Sequence, residues 1–572
     1  MIIGLNLSHD ASVSLHDEDG KIIFASGEER FNRIKSFWGF PKEALIQALE
    51  IAPPESISKV VLGSHSVIKP SSAELFSYLL NNAPDEYFDL ANSPFPPGWF
   101  QESIDRNSTL DKFSGFNPKK EIKSFLKRRL EEVGIKSDIE FRNHHESHAL
   151  SAIISSGFES CLCITLDGEG DFESGSVYLW ENGALSCLSK IPRELSLGNV
   201  YTEVTARYGF KRVRHEGKIT GLAAHGVPDI SVEILSAYLS HRGGKFYKDQ
   251  TLGKFAKTLA EVKNHDNRNF EAALIDCLAK QSKSFPDLAS SAQSYLEMQV
   301  LSYIEYWKSK TGMTNLAVAG GVFANVKLNQ RLIESMFFEK TYIYPNMGDG
   351  GLAPGAVWGS ILSSGRVPMR TESVYLGKDY SVGEGLNEHQ IDLIVQNIIK
   401  GGIVGFFQGR SEWGPRALCH RSIFASPGVI GISKRLNGRL KRTDFMPFAP
   451  IVLEEFAEEV FNLSTNSHID NYNNMTVTVD VKHKYSQILK EVTNIDGTAR
   501  PQIVHSDLKD VTAILSRFYQ LTGIPALINT SFNTHEEPIV ESPESALKLL
   551  KDGVLDFLVI GNRLFGPALD EL

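Results

Sequence analysis

Two histidines placed four residues apart are the first feature of this sequence that could bind a metal ion. His144 and His148 lie in NHHESHALSA, at the start of an apolar run. On a helix this spacing places both imidazoles on one face, where they could share one ion, while His145 points elsewhere. Taken alone, an HxxxH pair is equally compatible with two surface histidines that have ordinary partners.

Two aspartates could complete such a site. Asp167 follows the strand-like segment CLCITL at a DGEGD turn, and Asp349 lies in NMGDGGLAPGA, where glycines let the backbone approach a ligand closely. Two imidazoles and two carboxylates, with positions left open for substrate, suit one divalent ion such as Fe(II), Mn(II) or Zn(II). The alternative for each aspartate is a turn residue that caps its neighbours.

Three glycine-containing or polar turns could serve nucleotide binding and proton transfer. In AGGVFANVKLN, Gly320 and Gly321 lead into a predicted helix, whose free N–H groups could face a phosphate. In HEGKITGLAAHG, Lys218 lies between glycines and could hold a nucleotide, although both segments are also compatible with ordinary loops. His9 and Asp10 occupy the first polar turn, where an imidazole could act as a general base.

Cations are concentrated in the last third of the chain, in FQGRSEWGPRALCHRS and the stretch after it. Guanidinium groups are the preferred bidentate partners of phosphate and carboxylate oxygens, so the cluster indicates a phosphate pocket. A solvated helical face is the alternative, but prolines and glycines interrupt the helical periodicity. The predicted pocket residues are Arg416, Arg421, Lys441, Arg442 and Arg500, with Asn529 and Ser531 from the polar turn INTSFNTHEEPIV.

The elements that position these residues occur in two similar series. IIGLNL, SHDAS, VSL and KIIFAS read as strand, turn and hairpin, and CLCITL, DGEGDFES, GSVYLW and ALSCLS repeat the pattern. Helical stretches follow each series, for example FPKEALIQALEIA and AQSYLEMQVLSYIEYWKS. This layout predicts an α/β protein with a duplicated, actin-like N-terminal domain.

A domain boundary is predicted between Gly365 and Arg366, after the glycine-rich segment GDGGLAPGAVWGS. Residues 1–365 would form the duplicated domain, and residues 366–572 are enough for one further α/β domain. Residues 70–107, with PFPPGWF, read as an insertion that is either a surface elaboration or a substrate-recognition segment.

Composition excludes several classes of protein. The 572 residues carry a net charge of −10, which argues against nucleic acid and anionic membranes as general partners. No apolar run has the length of a membrane helix, and the N-terminus lacks a signal sequence, so we expect a cytoplasmic protein. The five cysteines form no CxxC pair and read as reduced thiols.

Taken together, the motifs resemble the NodU/CmcH/TobZ family of O-carbamoyltransferases over nearly the whole chain. The motifs HDAS, NHHxxH, DGxG, EGKxxGLA, GGVxxN, GDxGxAxGA, FQGRxExGPRALxxRS, RPQ and NTSFNxxxEPIV occur in the family's order. The sequence departs slightly from the family pattern at Thr220 and His225 in the EGK segment, and in the residues of the segment TDFMPFAP.

The resemblance implies a Kae1-like, actin-like (ASKHA) domain followed by a YrdC-like domain. The second domain would form carbamoyladenylate from carbamoyl phosphate and ATP with Mg²⁺, and the first would transfer the carbamoyl group to a hydroxyl, releasing AMP. His144, His148, Asp167 and Asp349 match the metal ligands, with iron as the implied ion, and His9 matches the base, with Asp10 beside it. Arg416, Lys441, Arg442 and Arg500 match the positions that would hold carbamoyl phosphate and ATP. The predicted nucleotide-binding residues of the first domain are Lys218, Gly221, Gly320, Gly321 and Asn325, from the two glycine-containing segments.

The acceptor implied by the resemblance is a hydroxylated small molecule or sugar, such as an antibiotic, a lipo-oligosaccharide or a surface glycan. A homodimer is compatible with the sequence, which does not define the oligomeric state. Competing functions are threonylcarbamoyl transfer to tRNA, a non-catalytic actin-like ATPase, and an HxxxH metallopeptidase. The last lacks the glutamate of HExxH.

Overall fold

The first strands form a mixed five-stranded sheet in the computed structural model, which describes residues 1–64, 118–264, 269–383, 385–442 and 447–567. The strands are β1 (Ile2–Asn6), β2 (Ser12–His16), β3 (Ile22–Gly27), β4 (Lys59–Leu62) and β5 (Asp138–Phe141). Their order is β3-β2-β1-β4-β5, in which β1, β2 and β3 are antiparallel neighbours while β4 and β5 run parallel to β1. The predicted insertion at 70–107 lies outside the described residues.

A second five-stranded sheet repeats this arrangement. Its strands are β6 (Ser160–Gly170), β7 (Glu173–Glu181), β8 (Ala184–Pro192), β11 (Asn315–Ala319) and β12 (Lys340–Ile343), in the order β12-β11-β6-β7-β8. Again three antiparallel strands are followed by two strands parallel to the first. The predicted duplication and the actin-like organisation are confirmed. A separate hairpin joins β9 (Leu239–Arg242) to β10 (Lys245–Lys248).

Helices cover both sheets and include the two stretches whose periodicity predicted them. The helices are α1 (Glu29–Asn32), α2 (Lys42–Ile51), α3 (Pro118–Glu132), α4 (His144–Ser156), α5 (Leu197–Arg207), α6 (Glu216–Ala223), α7 (Ser231–Tyr238), α8 (Ala256–Lys263), α9 (Phe270–Gln281), α10 (Phe285–Thr311), α11 (Val326–Glu334) and α12 (Leu352–Ser363). Among the described helices, none combines the length and the apolar character required to cross a membrane.

Helices α4 and α12 occupy equivalent places, because each follows the last strand of its sheet. They approach so closely that a Cβ on Gly355 of α12 would lie 1.8 Å from the carbonyl oxygen of Ser147 in α4. The first turn of α4 and the loop before α12 therefore meet at the junction of the two sheets.

The C-terminal domain contains a seven-stranded sheet in the order β18-β15-β19-β14-β13-β20-β21. Its strands are β13 (Val404–Phe407), β14 (Arg421–Ala425), β15 (Ala449–Leu453), β18 (Gln502–Val504), β19 (Ala526–Ser531), β20 (Phe557–Ile560) and β21 (Arg563–Phe565), and β16 (Val479–Asp480) pairs with β17 (Thr498–Ala499). The helices are α13 (Glu388–Ile399), α14 (Ile432–Leu440), α15 (Glu454–Val460), α16 (Ile469–Asn473), α17 (Lys509–Thr522) and α18 (Pro543–Lys551). This second α/β domain was also predicted.

The two domains are extensively connected. The chain after α12 returns to the first sheet, where Ala25 N–H donates to the carbonyl of Leu376 at 2.9 Å. Asn471 of the C-terminal domain pairs with the edge of β12 in the second sheet. Its side chain accepts the N–H of Ile343 and donates to the carbonyl of Thr341. The predicted boundary at 365/366 falls just after α12 and stays a prediction.

Candidate metal centre and anion site

The four predicted metal ligands come from three different parts of the N-terminal domain. His144 and His148 lie in the first turns of α4, which is capped by the side chain of Asn143. Asp167 lies in β6, and Asp349 lies in the loop between β12 and α12. All four side chains are buried, and one donor atom from each lies within 4.8 Å of the others. The structure thus brings these four residues together at the junction of the two sheets.

The distances between their donor atoms suit one shared ion. Nε2 of His148 lies 3.1 Å from Oδ2 of Asp167 and 3.5 Å from Oδ1 of Asp349, and the corresponding distances for His144 are 3.4 and 3.5 Å. Bonds of about 2.0–2.2 Å separate neighbouring ligand atoms by about 2.8–3.1 Å at octahedral angles and by about 3.3–3.6 Å at tetrahedral angles. Oδ1 of Asp349 is buried and has no hydrogen-bond partner among the described residues, as expected for an atom reserved for an ion.

The electrostatics of the cluster favour positive charge between the two carboxylates. Burial opposes protonation of His144, but the carboxylates of Asp349 and Asp167 outweigh it and raise its pKa to about 9. Burial also opposes ionisation of Asp167, yet its bonds to His144 and His148 hold its pKa well below the usual value. His145 differs, because burial and the two neighbouring imidazoles lower its pKa to about 3. Its Nδ1 lies 3.0 Å from the Thr165 hydroxyl, so His145 is excluded from the cluster as predicted from the spacing.

Several supporting contacts were missed by sequence reasoning. Asp171 accepts the backbone N–H of His144 at 2.8 Å and thereby fixes the start of α4. Ser8 donates its hydroxyl to Oδ2 of Asp349 at 2.6 Å. A Cβ on Gly170 would lie 2.2 Å from the His144 ring, so only glycine fits there. The DGEGD turn contained the signal for Asp171, because this turn has a second aspartate.

His9 lies beside the cluster. Its Nε2 is 3.2 Å from Oδ2 of Asp349, its Nδ1 is 2.9 Å from Asp10, and its ring stacks on Trp38 with centroids 5.9 Å apart. Burial opposes its protonation, but the carboxylates of Asp349 and Asp10 raise its pKa to about 10. Asp10 therefore orients an imidazole that points toward the predicted metal ligands.

The two glycines of the GGV turn lie against Asp167. Gly320 has a φ of +100°, and a Cβ there would lie 2.1 Å from the carbonyl oxygen of Leu166. A Cβ on Gly321 would be 2.9 Å from Oδ1 of Asp167. Asn325 caps α11 through the N–H of Leu328, and its amide also bonds Gln293, so its side chain is occupied by protein groups. The turn is adjacent to the cluster, whereas the Asn325 side chain supports the helix.

Lys218 and Gly221 lie on α6, where Lys218 places its ammonium group 5.1 Å from the centre of the Phe210 ring. The loop before α6 contacts the C-terminal domain through Glu536. The carboxylate of Glu536 lies 3.0 Å from Lys211 Nζ and 2.8 Å from His215 Nε2. The predicted nucleotide segment is therefore part of the contact between the domains.

Three guanidinium groups of the C-terminal domain form a cluster of uncompensated charge. Burial lowers the pKa of Arg416 to about 10, and burial together with Arg416 and Arg442 holds the pKa of Arg500 well below its usual value. Nε of Arg416 and Nε of Arg500 are buried without a hydrogen-bond partner. Arg442 donates to the Thr530 hydroxyl at 3.0 Å. In the described parts of the chain, none of the three forms an ion pair with a carboxylate, so the cluster favours an anionic ligand.

The other predicted pocket residues have different surroundings. Arg421 is fully buried in β14, donates to the carbonyls of Gln408 and Gly409, and packs its guanidinium 3.6 Å from the centre of the Phe407 ring. Lys441 is exposed at the end of α14. Asn529 donates to the carbonyl of Ala417, the residue after Arg416, and its Oδ1 is buried without a partner. Ser531 ends β19 opposite Ser422. Asn529 is therefore hydrogen-bonded to the segment that contains Arg416, and Arg421 supports the sheet.

Comparison with known proteins places both domains in the same family. A family model described as "Carbamoyltransferase N-terminus" matches residues 1–358, and one described as "Carbamoyltransferase C-terminus" matches residues 395–566. The chain is 31% identical to nodulation protein NolNO of Sinorhizobium fredii, covering 98% of this chain and 81% of that protein. It is 34% identical to nodulation protein NolO of Bradyrhizobium diazoefficiens, covering 73% of this chain and 78% of that protein.

Proposed function

The chain belongs to the carbamoyltransferase family, and from this premise we propose an ATP-dependent O-carbamoyltransferase with one partial reaction in each domain. The C-terminal domain forms carbamoyladenylate from carbamoyl phosphate, ATP and one water, releasing phosphate and pyrophosphate. The N-terminal domain then transfers the carbamoyl group to a hydroxyl of a small molecule or sugar. In that step the acceptor oxygen forms a bond to the carbamoyl carbon, the bond to AMP breaks, and the hydroxyl proton leaves.

The observation that carries the proposal is the arginine cluster. Arg416, Arg442 and Arg500 are partly withdrawn from water without a carboxylate partner among the described residues, which is unfavourable unless an anion binds. Carbamoyl phosphate and the triphosphate of ATP, with Mg²⁺, are anions that planar guanidinium groups bind in bidentate fashion. We assign these three residues to that substrate pair.

Transfer is assigned to the cluster of two histidines and two aspartates. His144, His148, Asp167 and Asp349 would hold one divalent ion, for which we propose iron(II). Bound there, the ion would neutralise negative charge that develops on the carbamoyl oxygen or on the departing phosphate. His9 is adjacent to Asp349 and is assigned the removal of the hydroxyl proton, with Asp10 holding its ring. A cation held by Asp349 would offset the carboxylate charge that raises the pKa of His9, so that the imidazole could accept this proton. Gly320 and Gly321 pack closely on Leu166 and Asp167, and we assign the backbone of this turn to the nucleotide.

The test separates the two partial reactions. Pyrophosphate release from ATP is measured with and without carbamoyl phosphate, and carbamoylated products are then sought by a mass increase across a panel of hydroxylated acceptors. We expect release to require carbamoyl phosphate. Arg416→Ala should raise the KM for carbamoyl phosphate in this release about 10–100-fold, and His148→Ala should retain release while losing transfer. Release that is independent of carbamoyl phosphate would contradict the proposal.

A further inference from the structure

The short helix α1 is part of the N-terminal domain, yet its arginines bond the C-terminal domain. Arg30 is 5% exposed, and its Nη2 donates to the carbonyl oxygen of Gly414 at 3.2 Å. Arg33, at the end of the helix, donates to the carbonyls of Pro538 and Ile539 at 2.6 and 2.7 Å. The two arginines thus contact two different loops of the C-terminal domain.

The loop that Arg30 holds leads directly to Arg416. Gly414 has a φ of +121° and is followed by Pro415, so the backbone before Arg416 has a restricted conformation. On its other side, Gly414 faces the loop after β12, because a Cβ on it would lie 3.3 Å from the carbonyl oxygen of Pro345. The loop before Arg416 is therefore enclosed between two elements of the N-terminal domain.

Arg30 also belongs to a buried set of four charges, with Arg421, Glu412 and Glu541. Electrostatic interaction links Arg30 to both carboxylates, yet no ion pair within 4 Å joins any of the four among the described residues. Each of the four has a buried polar atom without a partner. Two positive and two negative groups balance one another there, and the Nη2 bond to Gly414 is the hydrogen bond that fixes the Arg30 side chain.

Glu412, another member of this set, fixes the part of the same loop that follows Arg416. Its Oε1 accepts the backbone N–H groups of Leu418, His420 and Arg421, at 2.7 to 3.0 Å. The segment that contains Arg416 is thus fixed at one end by Arg30 and at the other by Glu412. A residue whose guanidinium group binds an anion loses less conformational entropy on binding when its backbone is already fixed in this way.

We propose that Arg30 is a positioning residue of the adenylate-forming site, so that the N-terminal domain completes the anion site of the C-terminal domain. Its bond to Gly414 sets the direction of Arg416 toward the bound phosphate. The inference rests on the proposed function for the identity of the anion. It adds a physical link between the two sites, because Glu28, directly before α1, donates its backbone N–H to Ala11 in the turn that contains His9.

The obvious variant, Arg30→Gln, leaves two buried carboxylates with one fewer cation and could unfold the protein. The double variant Arg30→Gln with Glu541→Gln restores the balance of charge while still lacking the bond to Gly414. Arg30→Lys keeps the charge and shortens the reach. Arg33→Gln is the matched control, since it removes contacts between the domains from the same helix without touching the loop before Arg416.

The measurement is the KM for carbamoyl phosphate in pyrophosphate release at saturating ATP, together with the melting temperature. A charged hydrogen bond that fixes a binding group is worth about tenfold in affinity. We expect the double variant to melt near the wild-type temperature with KM raised about tenfold and kcat within about threefold, Arg30→Lys to be intermediate, and Arg33→Gln to leave KM unchanged. A wild-type KM in the double variant, or an equal rise in the KM of Arg33→Gln, would overturn the inference. Arg30 would then only form a structural contact between the two domains.

A binding measurement separates this inference from the proposed function. The affinity of the full chain for inorganic phosphate is measured by calorimetry, which requires no turnover. If pyrophosphate release fails in the wild type, the proposed function is refuted, whereas about tenfold weaker phosphate binding by the double variant still supports the positioning role. Equal phosphate affinity in both proteins, or none in either, refutes the role of Arg30.

Discussion

Replacing His148 by alanine should abolish tight metal binding while leaving the fold intact. Nε2 of His148 lies 3.1 and 3.5 Å from the two carboxylates, and its ring is fully buried. His145 provides the matched control, because it is equally buried on the same helix but bonds the Thr165 hydroxyl instead. Either change removes a buried imidazole, and only one of them removes a predicted ligand.

The expected magnitude follows from the geometry of the cluster. At the 4.8 Å limit that encloses the ligand atoms, Coulomb's law with an effective dielectric constant of about 20 gives roughly 3.5 kcal/mol of repulsion between the two carboxylates. A bound cation converts this repulsion into attraction. Because changes to groups that merely support metal ligands cost about 10–100-fold in affinity, loss of a ligand should cost at least about 100-fold, or ~2.7 kcal/mol.

The assay is the shift in melting temperature on adding Fe(II), Mn(II) or Zn(II), with bound metal counted by elemental analysis. At a concentration 100 times the wild-type Kd, binding stabilises the folded state by about 2.7 kcal/mol. With an unfolding entropy of about 2.1 cal/mol/K per residue over ~360 residues, the wild type should gain about 3–4 °C. His148→Ala should gain less than about 1 °C, and a chelator should reverse the wild-type gain.

His145→Ala should melt at a lower temperature, because a buried side chain is lost, but should keep the full metal-dependent gain. An unchanged gain in His148→Ala, or an equal loss of the gain in His145→Ala, would refute the assignment of the ligands. Both outcomes are read from the same titration, so general destabilisation is not mistaken for loss of a ligand.

Two further predictions concern the arginine cluster and the glycine beside the metal ligands. Arg416→Ala should raise the KM for carbamoyl phosphate about 10–100-fold in the pyrophosphate assay, since charged hydrogen bonds contribute about 1.5–3 kcal/mol. The control is Arg517→Ala, which removes a partly exposed ion pair and should change this KM by no more than about twofold. Gly170→Ala would place a Cβ 2.2 Å from the His144 ring and should abolish the metal-dependent melting shift, whereas Gly348→Ala, which meets no atom within 4 Å, should keep it.

The duplicated strand pattern was predictable because each strand is short, apolar and bounded by polar turns. Asp19-Gly20, between β2 and β3, is a dipeptide typical of tight turns, and Gly20 has a φ of +89°. Helices α2 and α10 followed from their apolar spacing. The order β3-β2-β1-β4-β5 did not follow from the pattern, because parallel pairing joins segments separated by many residues and depends on packing of the whole domain.

Within the candidate sites, residue type and spacing located donor atoms but not their partners. Arg416 and Arg421 are five residues apart and look equivalent in the sequence. The structure places Arg421 within a central strand, where carbonyls and Phe407 occupy its guanidinium, and leaves Arg416 in a loop without such partners. Asn325 has the same ambiguity, because a capping amide and a ligand-binding amide have the same sequence signature. Asp171 and Arg30 were missed because their partners lie in other segments.

The two candidate sites have opposite charge imbalances, and this contrast is the physical basis of the division of labour that we propose. In the N-terminal domain, Asp167 and Asp349 face each other and attract positive charge, whereas in the C-terminal domain Arg416 and Arg500 repel each other and attract negative charge. Buried like charges persist in a stable fold only where a ligand of opposite sign compensates them for part of the working cycle. A single site could not bind phosphates through unpaired guanidinium groups and a cation through paired carboxylates, because at close range the two sets would neutralise each other. Separate domains keep both sets available. In the proposed reaction the carbamoyladenylate must then pass from one domain to the other, so the contacts that Arg30 and Glu536 make between the domains would hold the two sites in a fixed relation.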